Sequence, residues 1–566
     1  MISPLTGLPE ITDDNVSIDG TSQSGAVCNM LTSGTPHILK IQIDGAGTTD
    51  AEGLILGANN VSVSGLSITG FDSRAIRITG TANDASVDCS YIGVEPDGTT
   101  KNANARSGSV GSAVAMQGYG GSLRRSVVSG NDDDTGDSGI FIGGSDTTAT
   151  GNIIGLSADS ATVLGNANYG FHIRPEASNV TIGGTNAANR NIVSGNGSHG
   201  LNIDSSSALS ILGNYIGTDY VGLVDLGNGG DGIRLTGSAS GGRIGDGTAS
   251  GANIIAHNAG DGVHLTADPL QVAILSNAIH SNGGQGIDLA PGGVTDIDAG
   301  DVDTGPNDLL NFPLINALIS DGTSLVAYDI SLDVPGATHG YRIEFFRNSA
   351  PDATHGEGEA YLGAVEIAHA GGELNFTGSF TANVPVNVGD VISTTTTRKT
   401  GAVTYDISSE FSGNATAALA GDLKVAIDSA VYDPGGSNLK SVPQNDMLIT
   451  VTVSNDIGLS TTADTIVIIV DVPSDLVFYN GDIDDAGPQT NPVSYDGSNA
   501  PGLTFTYGTD VRFSDAAVKP AFADCDYIPP AGYDPAVRFI CINPKGTLPA
   551  GDPEPSFYMQ MRQRIR

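Results

Sequence analysis

Between Gly53 and Leu289 the chain repeats one short arrangement of apolar and polar positions. It reads Gly-Leu-Ile-Leu (53–56), Ala-Ile-Arg-Ile (75–78), Ala-Val-Ala-Met (113–116), Gly-Ile-Phe-Ile (139–142) and Gly-Phe-His-Ile (170–173). It continues as Gly-Leu-Asn-Ile (200–203), Gly-Ile-Arg-Leu (232–235), Gly-Val-His-Leu (262–265) and Gly-Ile-Asp-Leu (286–289), at steps of 22 to 38 residues. A second phrase, Ser-Tyr-Ile-Gly (90–93), Asn-Ile-Ile-Gly (152–155), Asn-Tyr-Ile-Gly (214–217) and Asn-Ala-Ile-His (277–280), returns every 62 or 63 residues. Two coils of roughly thirty residues therefore make one longer repeat. Inside each phrase apolar residues alternate, as Phe171 and Ile173 do around His172, which is the period of a strand with one buried face. A lone strand of this kind cannot bury that face. Stacked coils form a continuous apolar column and pair each strand edge with the next coil. Gly-Asn and Asn-Gly pairs such as Gly195-Asn196 and Asn228-Gly229 supply the positive-φ corners, and stacked asparagines fit tight turns. The pattern predicts an all-β chain that opens with a right-handed parallel β-helix over residues 1–308, a rod of about 40 Å. An open solenoid end exposes strand edges, so each end requires a cap or a partner.

From Leu309 the spacing changes. Val326, Tyr328 and Ile330 alternate, followed by Tyr341–Phe346, Ala360–Gly363, Val391-Ile392 and Asp406–Phe411. Strands at this spacing predict an immunoglobulin-like β-sandwich over 309–415. After a joint of small residues, Leu448–Val453, Ile466–Val472, Leu503–Tyr507, Val537–Ile542 and Phe557–Ile565 predict a second β-sandwich over 421–566.

Composition narrows the partners. Lys plus Arg total 24 against 63 Asp plus Glu, a formal charge of −39, which repels phosphate and so argues against nucleic acid and anionic membrane surfaces. The longest apolar run, Thr465 to Val472, is strand-sized rather than membrane-spanning. Met1-Ile-Ser-Pro-Leu-Thr has neither the basic start nor the apolar core of a secretory signal, although the rest reads as extracellular, so the chain reads as a mature or internal portion. Cys525 and Cys541 lie sixteen apart in a β-rich region and are read as a disulfide; Cys28 and Cys89 are a second candidate pair, with buried free thiols as the alternative.

Ile18-Asp-Gly-Thr-Ser-Gln, Asn191–Asn196, Tyr215-Ile-Gly-Thr-Asp and Gly284–Leu289, followed by Asp298–Pro313, Gly356–Gly363 and Ser409–Ser412, resemble bacterial secreted right-handed β-helix repeat proteins of the CSLREA-associated type. The resemblance covers roughly 1–415. Asp446–Asn455 and Val470–Val477 resemble a β-sandwich repeat of bacterial surface proteins. These resemblances imply secretion or surface display and no particular reaction.

The polar position of each repeat phrase defines a column: Arg77, Ala115, Phe141, His172, Asn202, Arg234, His264 and Asp288. One reading is a lyase-like face; with a single carboxylate and no Trp to stack sugars, the column reads instead as a solvated face. Asp298, Asp301, Asp303 and Asp308 crowd a Gly-containing loop, the oxygen-rich pattern that suits Ca²⁺. The alternative is a polar hinge. No phosphate loop, zinc spacing or nucleophile elbow is present, so the sequence predicts a non-enzyme that requires no cofactor, with Ca²⁺ in that loop as an optional ligand. The expected role is an extracellular structural protein of a bacterial surface, partnering itself head-to-tail in a filament or layer, with adhesive capacity. Alternatives are a glycan-binding or polysaccharide-lyase-like β-helix and a phage tailspike. A face lined by aromatics would favour the glycan reading.

Overall fold

The computed structural model describes residues 1–566 apart from 50, 106–111, 132–137, 205, 238, 267–269, 352–354, 420–422, 433–443, 456–460, 462, 484–490 and 550–554. The chain divides into two compact units, 1–418 and 419–566.

The first unit opens with three parallel sheets of nine strands each, wound one after another into a β-helix. The first sheet runs from Ser17–Asp19 to Leu270–Ile274, the second from Ile41–Asp44 to Ala278–His280, and the third from Leu54–Leu56 to Ile287–Leu289. The third sheet carries the first repeat phrase, and the second sheet carries the second. The first sheet, by contrast, consists of strands such as Ser62–Ser64 and Ser122–Arg124, whose single inward residue, Val63 or Leu123, is buried. Inward side chains of all three sheets form one core, from Ile43 and Leu54 to Ile287 and Leu289. The glycine that opens most third-sheet phrases is sterically required. A Cβ on Gly232 would lie 2.7 Å from the Gly262 carbonyl oxygen and 2.5 Å from Ile255 Cγ2.

Two asparagine ladders hold the corners. In one, Asn152, Asn191, Asn214, Asn253 and Asn277 each pass an Nδ2–H to the Oδ1 of the next, at 2.8–3.0 Å. In the other, Asn104, Asn131, Asn166, Asn196, Asn228, Asn258 and Asn282 do the same. Each buried amide thereby satisfies backbone groups that the turn removes from the strand ladders.

Two antiparallel sheets follow within the first unit. Leu314–Ser320, Leu325–Val334 and Gly372–Thr381 lie in one; Ala337–Asn348, Ala360–His369, Val391–Lys399 and Tyr405–Ser408 lie in the other. They enclose Val326, Ile330, Ile343, Phe345 and Ile392. This sandwich also closes the solenoid. Asn307 Oδ1 accepts the Val272 N–H and its Nδ2 donates to the Val272 carbonyl, both at 2.9 Å. Ser408 Oγ accepts the Ile274 N–H at 2.9 Å, Glu344 the Ser276 N–H at 2.7 Å, and Glu410 the Leu289 N–H at 2.9 Å. Gly358 and Ile279 exchange two backbone bonds of 2.7 Å. Phe411 and Phe346 add apolar cover. Each of the three sheets thus has end groups met by the sandwich, the cap that a solenoid end demands.

The second unit contains Lys424–Val431, Asp446–Ser454, Ser556–Ile565, Leu476–Asn480 and Gly532–Asp534 in one sheet, and Ile468–Asp471, Phe539–Ile542 and Val511–Ser514 in another. Val451, Phe478, Ile540, Phe557 and Met559 form its core. Cys525 and Cys541 are disulfide-bonded here, and Cys28 and Cys89 are bonded in the first unit. Among the described residues, no helix is long and apolar enough to cross a membrane.

Candidate functional site

The outward column lies on the third sheet in continuous register. Phe141 pairs with His172, His172 with Asn202, Asn202 with Arg234, Arg234 with His264, and His264 with Asp288. A second column runs beside it that the sequence reading did not single out. Tyr169, His199, Asp231, Asp261 and Gln285 each stand immediately before the glycine that opens a phrase. Their side chains climb the coils. His199 Nδ1 accepts the Asp231 N–H at 2.8 Å, Asp231 Oδ1 accepts the Asp261 N–H at 2.9 Å, and Asp261 Oδ1 accepts the Gln285 N–H at 2.7 Å. The available signal is the residue that stands before the glycine in each repeated x-Gly-Ile/Val/Leu/Phe phrase.

The two columns meet in two patches. In the first, Tyr169 stacks on His199 with ring centroids 5.5 Å apart and an interplanar angle of 16°. It meets His172 at 5.3 Å and 68°, and His172 meets Phe141 at 6.1 Å and 80°. Asp204 anchors this patch, accepting from His172 Nε2 at 2.8 Å and from Thr236 at 2.8 Å. In the second patch, His264 Nδ1 lies 3.3 Å from Asp231 Oδ2 and 3.4 Å from Asp261 Oδ2. Arg234 reaches His199 Nε2 at 3.2 Å.

Electrostatics separates the acids of the second patch. Burial alone would raise Asp231, but the bonds from His264 and the Asp261 N–H, with the neighbouring imidazoles, bring it below the usual carboxylate range. Burial, aided by the charge of Asp231, raises Asp261 and Asp288. The bond to Asp231 raises His264 against the opposing effect of burial, whereas burial lowers His199. The face therefore offers an ionised carboxylate beside carboxyls that hold their protons more tightly.

The acidic loop is brought together in part. Asp298, Asp301 and Asp303 place one oxygen each within 4.8 Å of one another. Asp308 points elsewhere, to Arg398 at 3.2 Å, because the turn Pro306–Leu309 places Asn307 against the solenoid end. Burial, with repulsion from Asp303, Asp298 and Asp308, pushes Asp301 up to about 7. One oxygen each of Asp298, Asp303 and Asp333 is buried without a hydrogen-bond partner among the described residues.

No protein-family model matches the chain, and no curated protein does. Solved structures similar to the chain include two tailspike structures. One is the enzymatically active domain of bacteriophage CBA120 tailspike protein 2, with 12% identity and a TM-score of 0.29, covering 66% of this chain and 63% of that one. The other is full-length tailspike protein 2 from Escherichia coli O157:H7 bacteriophage CAB120, with 13% identity and a TM-score of 0.29, covering 66% of this chain and 57% of that one. The chain thus spans less than two thirds of either. Against the expectation of a non-enzyme, one of these similar structures is an enzymatically active domain, and that expectation does not stand.

Proposed function

We propose that the chain is an extracellular β-helical protein that binds extended polysaccharide along the outward face of its third sheet. The observation that carries this reading is the half-buried ring patch of Phe141, Tyr169, His172 and His199, continued on successive coils by Arg234, His264 and Asp288. Aromatic rings give a sugar an apolar surface, and the polar column beside them offers hydrogen-bond partners for its hydroxyls at a repeat of about 4.8 Å. Affinity electrophoresis against acidic and neutral polysaccharides tests it, with reducing ends counted in the same incubations. Tyr169→Ala is expected to weaken retardation about tenfold, a loss of about 1.4 kcal/mol. Equal retardation of the variant and the parent on every polysaccharide retarded would refute the reading.

A second reading, a bacterial surface rod that assembles with itself, is supported by Met1, Ile2, Leu5, Val27, Met30 and Ile38, which are exposed apolar side chains on the opening coils. With the far end of the solenoid closed by the sandwich, this assembly would use the opening coils rather than two open strand edges. Ca²⁺ held by Asp298, Asp301 and Asp303 would stiffen the passage from solenoid to sandwich. Electron microscopy with calcium and with chelator decides: ordered filaments or sheets support assembly, and single rods in both conditions refute it.

A further inference from the structure

We propose that Asp231, Asp261 and His264 form a binding site for one divalent cation of the Zn²⁺ type. His264 Nδ1 lies 3.3 Å from Asp231 Oδ2 and 3.4 Å from Asp261 Oδ2, and no two of the three ligand atoms are more than 4.8 Å apart. One imidazole N–H cannot serve both oxygens well, and both separations exceed the usual range for such a bond. They do match the edge of a ligand tetrahedron, since metal–ligand bonds of about 2.0–2.1 Å give edges of about 3.3–3.4 Å.

The ligand oxygens are oriented by the fold. Each aspartate spends Oδ1 on the backbone N–H of the next coil, Asp231 at 2.9 Å and Asp261 at 2.7 Å, which leaves Oδ2 facing the cluster, with that of Asp231 also 3.2 Å from His199 Nδ1. Such outer contacts are what fix the ligands of a metal site. An independent observation comes from the next coil. Asp288, paired in register with His264, is only 4% exposed, and its Oδ1 has no hydrogen-bond partner among the described residues. A buried acceptor left empty is costly; Asp288 lies outside the three-residue ligand group, so a water held by the cation, rather than the cation itself, is the partner that fits it. Charge agrees: with a neutral imidazole from His264, the Asp231 and Asp261 carboxylates bring two negative charges to the ligand group, which a dication offsets. The mixture of imidazole and carboxylate favours Zn²⁺ over Ca²⁺ or Mg²⁺, which take oxygen ligands. His264 and Asp261 retain 22% and 15% side-chain exposure, so an ion has a way in.

The site does not depend on carbohydrate, and its test does not use any. The full chain, stripped with chelator and dialysed, is titrated with Zn²⁺ by calorimetry and with Co²⁺ by visible absorption. One equivalent is expected, with the intense absorption of tetrahedral Co²⁺. His264→Gln and Asp261→Asn should each weaken binding more than about 100-fold, above the range typical of outer-shell changes. Asp261→Asn keeps the Oδ1 acceptor and so serves if His264→Gln does not fold, and Asp298→Asn should leave binding unchanged. Absence of a stoichiometric site, or full affinity in the Asp261→Asn protein, would overturn the proposal.

Discussion

Replacing Asn214 with alanine is the most direct test of how the solenoid is held. The Asn214 side chain is fully buried and makes five hydrogen bonds. Nδ2 donates to the carbonyls of Ile182 at 2.9 Å and Leu212 at 3.1 Å, and to Asn253 Oδ1 at 3.0 Å. Oδ1 accepts the Asn191 N–H at 3.2 Å and Asn191 Nδ2 at 2.9 Å. Three of the five partners retain another bond: Asn191 Nδ2 still reaches the Ala149 carbonyl, Asn253 Oδ1 still accepts the Asn214 N–H, and Leu212 O still accepts from the Gly184 N–H. The Asn191 N–H is the donor left with nothing, deep in the corner, and the Ile182 carbonyl loses its bond from Nδ2. One orphaned backbone donor costs about 1–3 kcal/mol, and the weakened ladder on either side adds about 1–2 kcal/mol, so a loss of about 2–5 kcal/mol is expected. Hydrogen exchange is the appropriate assay, because a solenoid opens coil by coil. The amides of 191–193 and 215–216 should lose protection in Asn214→Ala, while those of the second unit stay as they were. A change below about 0.5 kcal/mol at these amides would refute the ladder as a source of stability.

Three further outcomes follow from the geometry. Burial pushes Glu410 up to about 7 from an ordinary 4.5, so the folded first unit holds that proton more tightly than the unfolded chain. Its stabilising effect is complete below about pH 4.5 and is lost as pH rises through 7, an upper figure of about 3 kcal/mol; urea midpoints should fall over that range in the parent and stay flatter in Glu410→Gln. Phe411→Ala, which strips a buried ring from the cap, should cost about 3–5 kcal/mol by urea denaturation of the first unit, and a loss under about 1 kcal/mol would mean the cap is held by its polar bonds alone. Reducing Cys525–Cys541, or replacing both with serine, should lower the thermal stability of the second unit by about 3 kcal/mol; an unchanged melting temperature would show that the bridge adds nothing to it.

Much of this was readable in advance, and the gaps have physical causes. The second and third sheets were legible because each strand shows paired or alternating apolar residues at a recurring interval. The first sheet was not, since Ser62-Val63-Ser64 and Thr148-Ala149-Thr150 offer one small inward residue between polar ones. The outward column from Phe141 to Asp288 could be written down from the phrases alone, because register follows the repeat. The convergence of His199, Asp231 and Asp261 upon it could not, because those residues sit in corners whose side-chain direction depends on turn geometry. The cap was the least visible. Asn307, Glu344 and Glu410 are scattered through a different fold, and nothing local marks them as partners of Val272, Ser276 and Leu289.

The Leu289 N–H waits for Glu410, which lies 121 residues further along the chain. At synthesis rates of about 5–20 residues per second, that separation is a delay of about 6–24 seconds. During that interval the newest solenoid strand is finished but unsealed, and a neighbouring nascent chain offers it the same hydrogen bonds. The vulnerable moment in the life of this protein is therefore set by translation speed and by the crowding of polysomes, and a slow stretch of message before the sandwich would lengthen it.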